Sequence, residues 1–537
     1  MTSLRDLLAS AEPTTQLPLR GLEDRLRLEG RLSAAAMPLP DGLAVSGLTE
    51  DSRDVRPGWL FVALPGAHVD GHQFVAAAAA GGALAAIVER HLDIPIPQLI
   101  VDRSRRALAT AACWWYGDPS AELGVVGITG TDGKTSTSYF ATAALQAAGI
   151  ATGMLGTAAL EIGDVREANP EHATTPAAPR LQAILRAMVT AGDRAAVVET
   201  TSHGLALDRV GGVRYDVAIL TNITHEHLEL HGTWEAYRAA KLSLFERLAG
   251  GRENPPKPSP GWPRTGIVNA NDPSAKVFIE ATARAGASVL TYSANPSRRR
   301  ADVEGTTIVA SRWGEGRRLW YAAPSGSAEV RIQLSGGFNV INALAVIALG
   351  EALGLDPARV RQGIESVAVV PGRMERIVAG QPFEVVVDFA HSPASLELVL
   401  DELGRTAAAR GGGLIAVFGS AGERDTAKRP EMGRIAAERC RLVVLTDEDP
   451  RGEDRDAILA EIAVGADAAG KVRGRDLLLI PDRGATIRSA LSHAQPGDFV
   501  LLAGKGHERT IEYADHAAPW DERAEALAAL AELGYHG

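Results

Sequence analysis

The segment ITGTDGKTS (128–136) sets two glycines, a lysine and a hydroxyl residue at the end of an apolar run, GVVGITG (124–130). Those residue types suit phosphate chemistry. Glycines let backbone N–H groups close on phosphate oxygens, and a helix that starts there favours an anion at its N-terminus. Lys134 can reach the terminal phosphates of a nucleotide, and the Thr135 hydroxyl can coordinate magnesium. The strict nucleotide-loop pattern wants a glycine six residues before the lysine; Ile128 stands there and Gly127 one residue further back, so the loop is a variant. A plain glycine turn is the alternative, and Gly-Lys-Thr directly after an apolar strand argues against it. The candidate ATP-binding residues are Gly130, Thr131, Asp132, Gly133, Lys134, Thr135 and Ser136.

Such a loop needs a sheet behind it. Apolar stretches AAVVET (195–200), DVAILTN (216–222) and TGIVNAND (265–272) alternate with helical segments, the first from Thr135 to Ala148. Repeated strand–helix units with apolar strands predict an α/β fold built on a mostly parallel sheet covered on both faces. A second α/β unit follows, with strands at FEVVVDFA (383–390), GLIAVFGS (413–420), RLVVLTD (441–447) and DFVLLAGKG (498–506). At roughly 150 residues per unit, 537 residues predict three or four. We divide the chain into a loosely held extension (1–35), a first unit (36–122), the nucleotide unit (123–368) and a last unit (369–537), with VAVVPGR around 365–373 as the linker. The Pro-rich ENPPKPSPGWP (253–263) reads as a surface loop, and no repeat with a period of 20–50 residues is visible.

A net charge of −11 argues against nucleic acid as the main partner, because phosphate backbones attract basic surfaces. Two distant cysteines, Cys113 and Cys440, exclude a disulfide framework and fit a reducing cytosol. The start lacks the basic and apolar regions of a signal peptide. The longest apolar run, from Val75 to Val88, is too short for the roughly 20 residues a bilayer requires. A cytoplasmic protein without membrane insertion is expected.

The compact TGTDGKT resembles the Mur ligases, whose loop usually reads TGTNGKT; Asp132 stands where asparagine is usual, a tolerated turn-former. Three further segments resemble that family in its order: TTPAAPRLQ (174–182), ETTSHGLALDRV (199–210) and LTNITHEHLELHGTWEAYRAAKLSLF (220–245). The resemblance implies a three-domain Mur ligase architecture, with a UDP-precursor domain, a central P-loop-type ATPase domain and a C-terminal Rossmann-like domain. It implies that ATP activates a carboxylate as an acyl phosphate, which an amine then attacks, with magnesium offsetting phosphoryl charge. Lys134, Glu199, His227 and Lys241 are then catalytic, and Thr135, Glu199, His227 and Lys241 are metal ligands, Lys241 as a carbamate derived from CO2. Read alone, a histidine at 227 is more often structural, and a lysine at 241 a solvated helical one. Two departures are conservative: Glu226-His227-Leu228-Glu229 replaces Asp-His-Leu-Asp, and Thr201-Ser202 replaces Ser-Ser.

GGFNVINALA (336–345), VPGRMERI (370–377) and VVDFAHSP (386–393) resemble the family's nucleotide elements, which implies that Asn339 contacts adenine and that Arg373 and Asp388 hold ATP from the last domain. Read alone, Asn339 serves equally as a helix cap. DSRDVRPGWLFVALPGAHVDGHQF (51–74) resembles the unit that holds the UDP end of the precursor, with Ser52 the leading candidate and Thr174, Thr175, Thr201 and Arg209 on the remaining part. FGSAGERDTAKRPEMG (418–433), TDEDPRGED (446–454) and LAGKGHE (502–508) resemble the tripeptide-forming branch. They imply an amino-acid site of Arg424, Asp449, Pro450, Arg451, Gly504 and Glu508, in which Asp449 replaces the usual asparagine and is expected to neutralise Arg451. The implied reaction joins the D-glutamyl γ-carboxylate of UDP-N-acetylmuramoyl-L-alanyl-D-glutamate to a free diamino acid, meso-diaminopimelate ahead of lysine or ornithine, in peptidoglycan precursor synthesis by a monomeric enzyme. Other ligases of the superfamily, such as folylpolyglutamate synthases, lack DSRDVRPG and AGKGHE. A nucleotide-binding partner protein without chemistry has no need of Lys134, Glu199, His227 and Lys241 together.

Overall fold

The computed structural model describes residues 3–33, 39–66, 69–171, 173–224, 231–249, 261–295, 300–309, 313–314 and 316–536. Three sheets organise it. The first has four parallel strands in the order Leu48–Thr49, Leu60–Val62, Ala85–Val88, Gln98–Ile100. The central sheet has eleven strands. Seven are parallel, in the order Thr152–Leu155, Ala195–Glu199, Gly124–Thr129, Val217–Leu220, Thr265–Asn269, Ser288–Ser293, Val303–Val309. Antiparallel strands extend both edges, Ala159–Ile162 and Val165–Ala168 at one, Arg317–Ala323 and Gly326–Ile332 at the other. The third sheet runs Glu375–Ile377, Glu384–Asp388, Phe499–Ala503, Leu414–Phe418, Leu442–Leu445, Leu477–Leu479, parallel except at Glu375–Ile377.

Strands buried on both faces explain the near-continuous apolar runs in the sequence. Val126 and Ile128 of the loop strand belong to a core on one side of the central sheet, with the helices Lys134–Ala147 and Phe338–Leu353. Val125 belongs to the opposite core, with the helices Ala178–Ala191 and Trp234–Glu246. All three side chains have no exposed surface, and each contributes roughly 2 kcal/mol by burial. The third sheet is covered the same way, by Leu396, Met432 and Ile462 on one face and by Ile487, Ala526 and Leu530 on the other.

The chain start departs from the loosely held extension expected over 1–35. The helix Leu4–Ser10, closed by a capping box between Ser3 and Asp6, buries Leu4 and Leu8 in the same core as Ile162, Leu181 and Leu185 of the central unit. The helix Leu19–Leu28 buries Leu19, Leu22 and Leu26 in the core of the first sheet. Leucines at a spacing of three to four residues give each short helix one apolar face, enough to dock it. Of the expected surface loop at 253–263, residues 253–260 lie outside the described residues. Among the described residues no helix is long and apolar enough to cross a membrane.

Candidate active site between the central and last units

In parallel sheets, ligands gather beyond the carboxyl ends of the strands. Here the segments singled out from the sequence extend from such ends: 130–136 after Thr129, 199–201 at Glu199, 221–224 after Leu220, 446–451 after Leu445 and 504–508 after Ala503.

Gly130 has φ +154, and a Cβ there would stand 1.8 Å from Thr221 Oγ1, so only glycine lets the loop pass the neighbouring strand end. The loop is tied down by backbone. Thr131 N donates to Asn222 O (2.8 Å), Asp132 N to Asn222 Oδ1 (3.0 Å), and Thr221 Oγ1 to Asp132 O (2.6 Å). Asp132 therefore serves the turn through its backbone. Gly133 N-caps the helix, and Thr137 N and Oγ1 donate to its carbonyl (2.9 and 2.8 Å). Ser136 is buried in the first turn. Lys134 Nζ donates to the carbonyls of Gly130 (2.9 Å) and Thr131 (2.7 Å). Lys241, on the helix Trp234–Glu246, is not the solvated lysine its helix suggests: it is 2% exposed, with Nζ 2.7 Å from Gly130 O and 4.5 Å from the centre of the Tyr237 ring. Two lysine ammonium groups thus share one carbonyl at the crest of the loop, a concentration of positive charge suited to an anion.

Glu199, fully buried, faces this cluster. Its Oε2 accepts from Thr135 Oγ1 (3.2 Å) and Thr157 Oγ1 (2.8 Å), and its Oε1 from Thr157 N (2.9 Å). The network continues outward. Thr157 Oγ1 lies 3.0 Å from Thr174 Oγ1; Thr175 Oγ1 donates to Glu199 O (2.9 Å) and accepts from Thr201 N and Oγ1 (3.1 and 3.0 Å); Arg209 Nη1 donates to Thr175 O (2.8 Å). Burial lowers the pKa of Arg209, and the charge of Glu50 from the first unit opposes that. Thr174, Thr175, Thr201 and Arg209 therefore form one wall, leading from Glu199 towards the first unit. There, Ser52 is half-buried beside a groove lined by Thr49, Arg53, Asp54, Val55, Arg56 and Trp59, but is not part of the lining; Arg56 lies over the Trp59 ring at 5.4 Å. His227 lies outside the described residues, as do Glu226 and Glu229. Among the described residues no three His, Cys, Asp or Glu side chains converge on a metal position.

The last unit reaches the loop through Arg373, whose Nη2 donates to Thr135 Oγ1 (3.3 Å) and whose guanidinium lies 4.8 Å from the Phe389 ring centre. Asp388 lies behind Arg373, whose charge acts on its carboxylate. Its carboxylate accepts from Met374 N (2.7 Å) and Ala390 N (2.9 Å), so it braces the turn that carries Arg373, and burial raises its pKa. Asn339 is 1% exposed; its Nδ2 donates to Ser335 O (2.6 Å) and its Oδ1 accepts from Asn342 (3.0 Å). It is not the helix cap, a position held by Gly337. Asn342 lies against Gly133 of the phosphate loop, so the pair sits at the nucleotide end.

The amino-acid segment differs from expectation in its pairing. Asp449 does not neutralise Arg451. Its Oδ1 accepts from Lys505 Nζ (2.7 Å) and Glu512 N (2.9 Å), while Arg451, at φ +51, donates from Nε to Glu512 Oε2 (2.9 Å). Lys505 Nζ also lies 2.6 Å from Glu508 Oε2. Burial opposes the Lys505 ammonium, but Glu508 and Asp449 outweigh it and raise its pKa; burial pushes the Glu508 carboxyl up to about 7 against the pull of Lys505, and also raises Asp449. Pro450 leads into the Arg451 turn, Gly504 opens the facing loop, and Arg424 is exposed on a third loop. The buried pair Arg483–Glu522 fixes the facing loops, Arg483 donating to Asp447 O (2.9 Å) and Ala503 O (2.7 Å). Sequence reasoning missed Thr157, Lys505, Glu512 and Arg483. Thr157 lies two residues beyond a parallel strand end, and Lys505 lies inside LAGKGHE, so position relative to the strands was the available signal.

Three family models match: the Mur ligase middle domain over residues 128–350, the Mur ligase glutamate ligase domain over 372–506, and the Mur ligase family catalytic domain over 44–112. The chain is 47% identical over 509 residues to a UDP-N-acetylmuramyl-tripeptide synthetase of Roseiflexus sp. (strain RS-1), covering 94% of this chain and 97% of that one. It is 39% identical over 489 residues to a UDP-N-acetylmuramoyl-L-alanyl-D-glutamate--2,6-diaminopimelate ligase of Bacillus velezensis, covering 91% and 95%. A solved structure of a ligase of the latter name aligns with a TM-score of 0.60 at 29% identity, over 91% of this chain and 96% of that chain.

Proposed function

The chain belongs to the Mur ligase family, and on that premise we propose how its residues divide the labour of a ligase that adds a diamino acid during peptidoglycan precursor synthesis. It is an ATP-dependent enzyme that forms a peptide bond, and its substrates are a UDP-N-acetylmuramoyl peptide and an amino acid. The γ-carboxylate of D-glutamate attacks the terminal phosphorus of ATP, giving an acyl phosphate and ADP. The incoming amine then attacks the acyl carbon, loses a proton, and expels phosphate as the amide forms. Lys134, now folded onto its own loop carbonyls, swings to the transferring phosphoryl group, where a cation is worth most as charge redistributes. Gly130, Thr131, Asp132, Gly133, Thr135 and Ser136 cradle the phosphates. Asn339 takes the adenine end, and Arg373, set by Asp388, joins from the last unit. That approach shields the acyl phosphate from water.

Thr135 Oγ1 and Glu199 Oε2, 3.2 Å apart, are hard oxygen donors of the kind magnesium prefers. Those two residues and His227 would hold the ion, which when bound offsets phosphoryl charge. Lys241 works as a carbamate: its neutral amine attacks CO2, an N–C bond forms, a proton leaves, and a positive side chain becomes a negative one. Its position supports this, because Lys241 reaches the same loop carbonyl as Lys134, where a carbamate would add an oxygen donor beside the phosphate loop. The wall of Thr174, Thr175, Thr201 and Arg209 holds the peptide of the precursor, and the Ser52 segment its UDP end.

The amino acid is meso-diaminopimelate. The observation that carries this is the pairing of Asp449 with Lys505: Arg451 is held at Nε by Glu512 and not by Asp449, and its terminal guanidinium nitrogens bind the distal carboxylate, with Arg424 assisting from the third loop, Gly504 across from it and Glu508 taking the distal ammonium. In this reading the enzyme acts in the cytoplasm, where ATP is at hand, without membrane insertion and as a monomer. The test is ADP release with the dipeptide precursor and each of meso-diaminopimelate, lysine and ornithine; the first gives the highest kcat/KM.

A further inference from the structure

Phe389 follows Asp388 at the carboxyl end of the strand Glu384–Asp388, and the mechanism above gives it no task. It is half-buried and lies outside the apolar clusters described for the third sheet. Its ring faces polar side chains instead. The Arg373 guanidinium lies 4.8 Å from the ring centre, and the His391 and His507 rings lie 4.7 and 4.9 Å from it. Burial, with the charges of Arg373 and Lys505, pushes the His507 imidazole down to about 3, so Arg373 is the charged partner and His507 a neutral one. The ring is held from behind by main chain. Phe389 N donates to Gly372 O (2.9 Å), and Gly504 N donates to Asp388 O (3.1 Å). A Cβ at Gly506 would stand 2.9 Å from Phe389 Cβ, and one at Gly372 would stand 2.4 Å from His507 N. Both glycines have positive φ, +50 and +64, so three turns meet backbone to backbone and fix the ring in place.

Arg373 is held less firmly by hydrogen bonds. Its side chain crosses from the last unit to the central one, and among the described residues it makes one, from Nη2 to Thr135 Oγ1 at 3.3 Å. A guanidinium carries five N–H donors on a long flexible stem, so a single bond leaves it free to swing. A fixed aromatic face restrains it, because the ring attracts the cation and matches its plane. We infer that Phe389 is a positioning residue for Arg373, a fixed shelf that holds the guanidinium extended towards the phosphate loop. The inference rests on the reading above that Arg373 serves the nucleotide. Because main chain backs the shelf, its shape does not depend on the amino acid, and its effect falls on the nucleotide alone.

The experiment measures ADP release by the full chain, with the dipeptide precursor and meso-diaminopimelate, as ATP is varied. Wild type, Phe389→Leu, Phe389→Tyr, Arg373→Met and the double variant of Phe389→Leu with Arg373→Met are compared. Phe389→Leu keeps an apolar side chain and removes the ring face. It should lose about fivefold in kcat/KM for ATP, the scale of one cation–π contact, with the KM for the diamino acid unchanged. Phe389→Tyr keeps the ring and should stay within about twofold of wild type. Arg373→Met should lose more than Phe389→Leu, and the double variant no more than Arg373→Met, because the ring acts through the guanidinium. A packing role alone would give Phe389→Leu the same loss in both backgrounds. That result overturns the role of Phe389, as does a loss in Phe389→Tyr equal to that in Phe389→Leu, or a loss that falls on the diamino-acid KM. An Arg373→Met variant with unchanged kcat/KM for ATP overturns the nucleotide reading and the inference with it. A loss in Arg373→Met with none in Phe389→Leu overturns the inference alone.

Discussion

The phosphate loop and the amino-acid pocket sit at the carboxyl ends of two parallel sheets, and they are built in opposite ways. The loop is contiguous and held by backbone: Gly130, Thr131 and Asp132 are fixed by the main chain and side chains of Thr221 and Asn222, and Lys134 and Lys241 both point at Gly130 O. The pocket is held by side-chain charge across the chain. Lys505 meets Asp449 56 residues away, and Arg451 meets Glu512 61 residues away. A backbone-built site keeps one shape for one invariant ligand, even where a side chain changes, as at Asp132, whose main chain makes the bonds. A site built from ion pairs can be retuned by one substitution, which suits the end of the enzyme that chooses among amino acids.

The largest test of this contrast is Lys134→Ala. Turnover should fall about 1000-fold, the loss expected for one transition-state cation, while circular dichroism stays native because the loop keeps its backbone bonds. Next is Lys241→Ala, which should fall about 100-fold and recover partly with added formate or acetate, as a small carboxylate replaces the lost anion. An intact-mass measurement of active enzyme showing an unmodified Lys241 would count against the carbamate.

Lys505→Met probes the other region. Two carboxylates lose their buried cation, so stability should drop by about 3 kcal/mol, and the KM for the amino acid should rise about 30-fold while the KM for ATP holds. A matching rise in both constants would show that the two regions are not separable.

That separation also explains what was legible in the sequence. ITGTDGKTS could be read directly because its chemistry lies within nine consecutive residues, and the alternation of apolar strands and helices gave the layered α/β architecture. The helices Leu4–Ser10 and Leu19–Leu28 were missed because short amphipathic segments look unstructured until the surface they dock on is known. Asp449 was assigned to Arg451 because they are two residues apart in sequence. The fold instead directs Arg451 towards Glu512 through a left-handed turn and brings Lys505 up from another strand. Spacing along the chain carries no information about such pairs.

The smallest expected effect is on pH. Burial holds the Glu508 carboxyl up to about 7, so between its ordinary 4.5 and about 7 the folded chain keeps a proton that the unfolded chain has lost. Its contribution to stability is complete below 4.5 and disappears as pH rises through about 7. Binding runs the other way, since an ammonium substrate needs the ionised form. The KM for the diamino acid should fall roughly tenfold from about pH 6 to about pH 8, the KM for ATP should not follow it, and Glu508→Gln should flatten the profile.

The most direct test of the central claim is ADP release in the presence of UDP-N-acetylmuramoyl-L-alanyl-D-glutamate, measured for meso-diaminopimelate, lysine and ornithine in wild type and in Asp449→Asn. The account predicts that release requires both the precursor and an amino acid, that diaminopimelate gives the highest kcat/KM in wild type, and that Asp449→Asn keeps this order because Arg451 is not the partner of Asp449. A wild type that favours lysine or ornithine, with Asp449→Asn shifting it towards diaminopimelate, would contradict it.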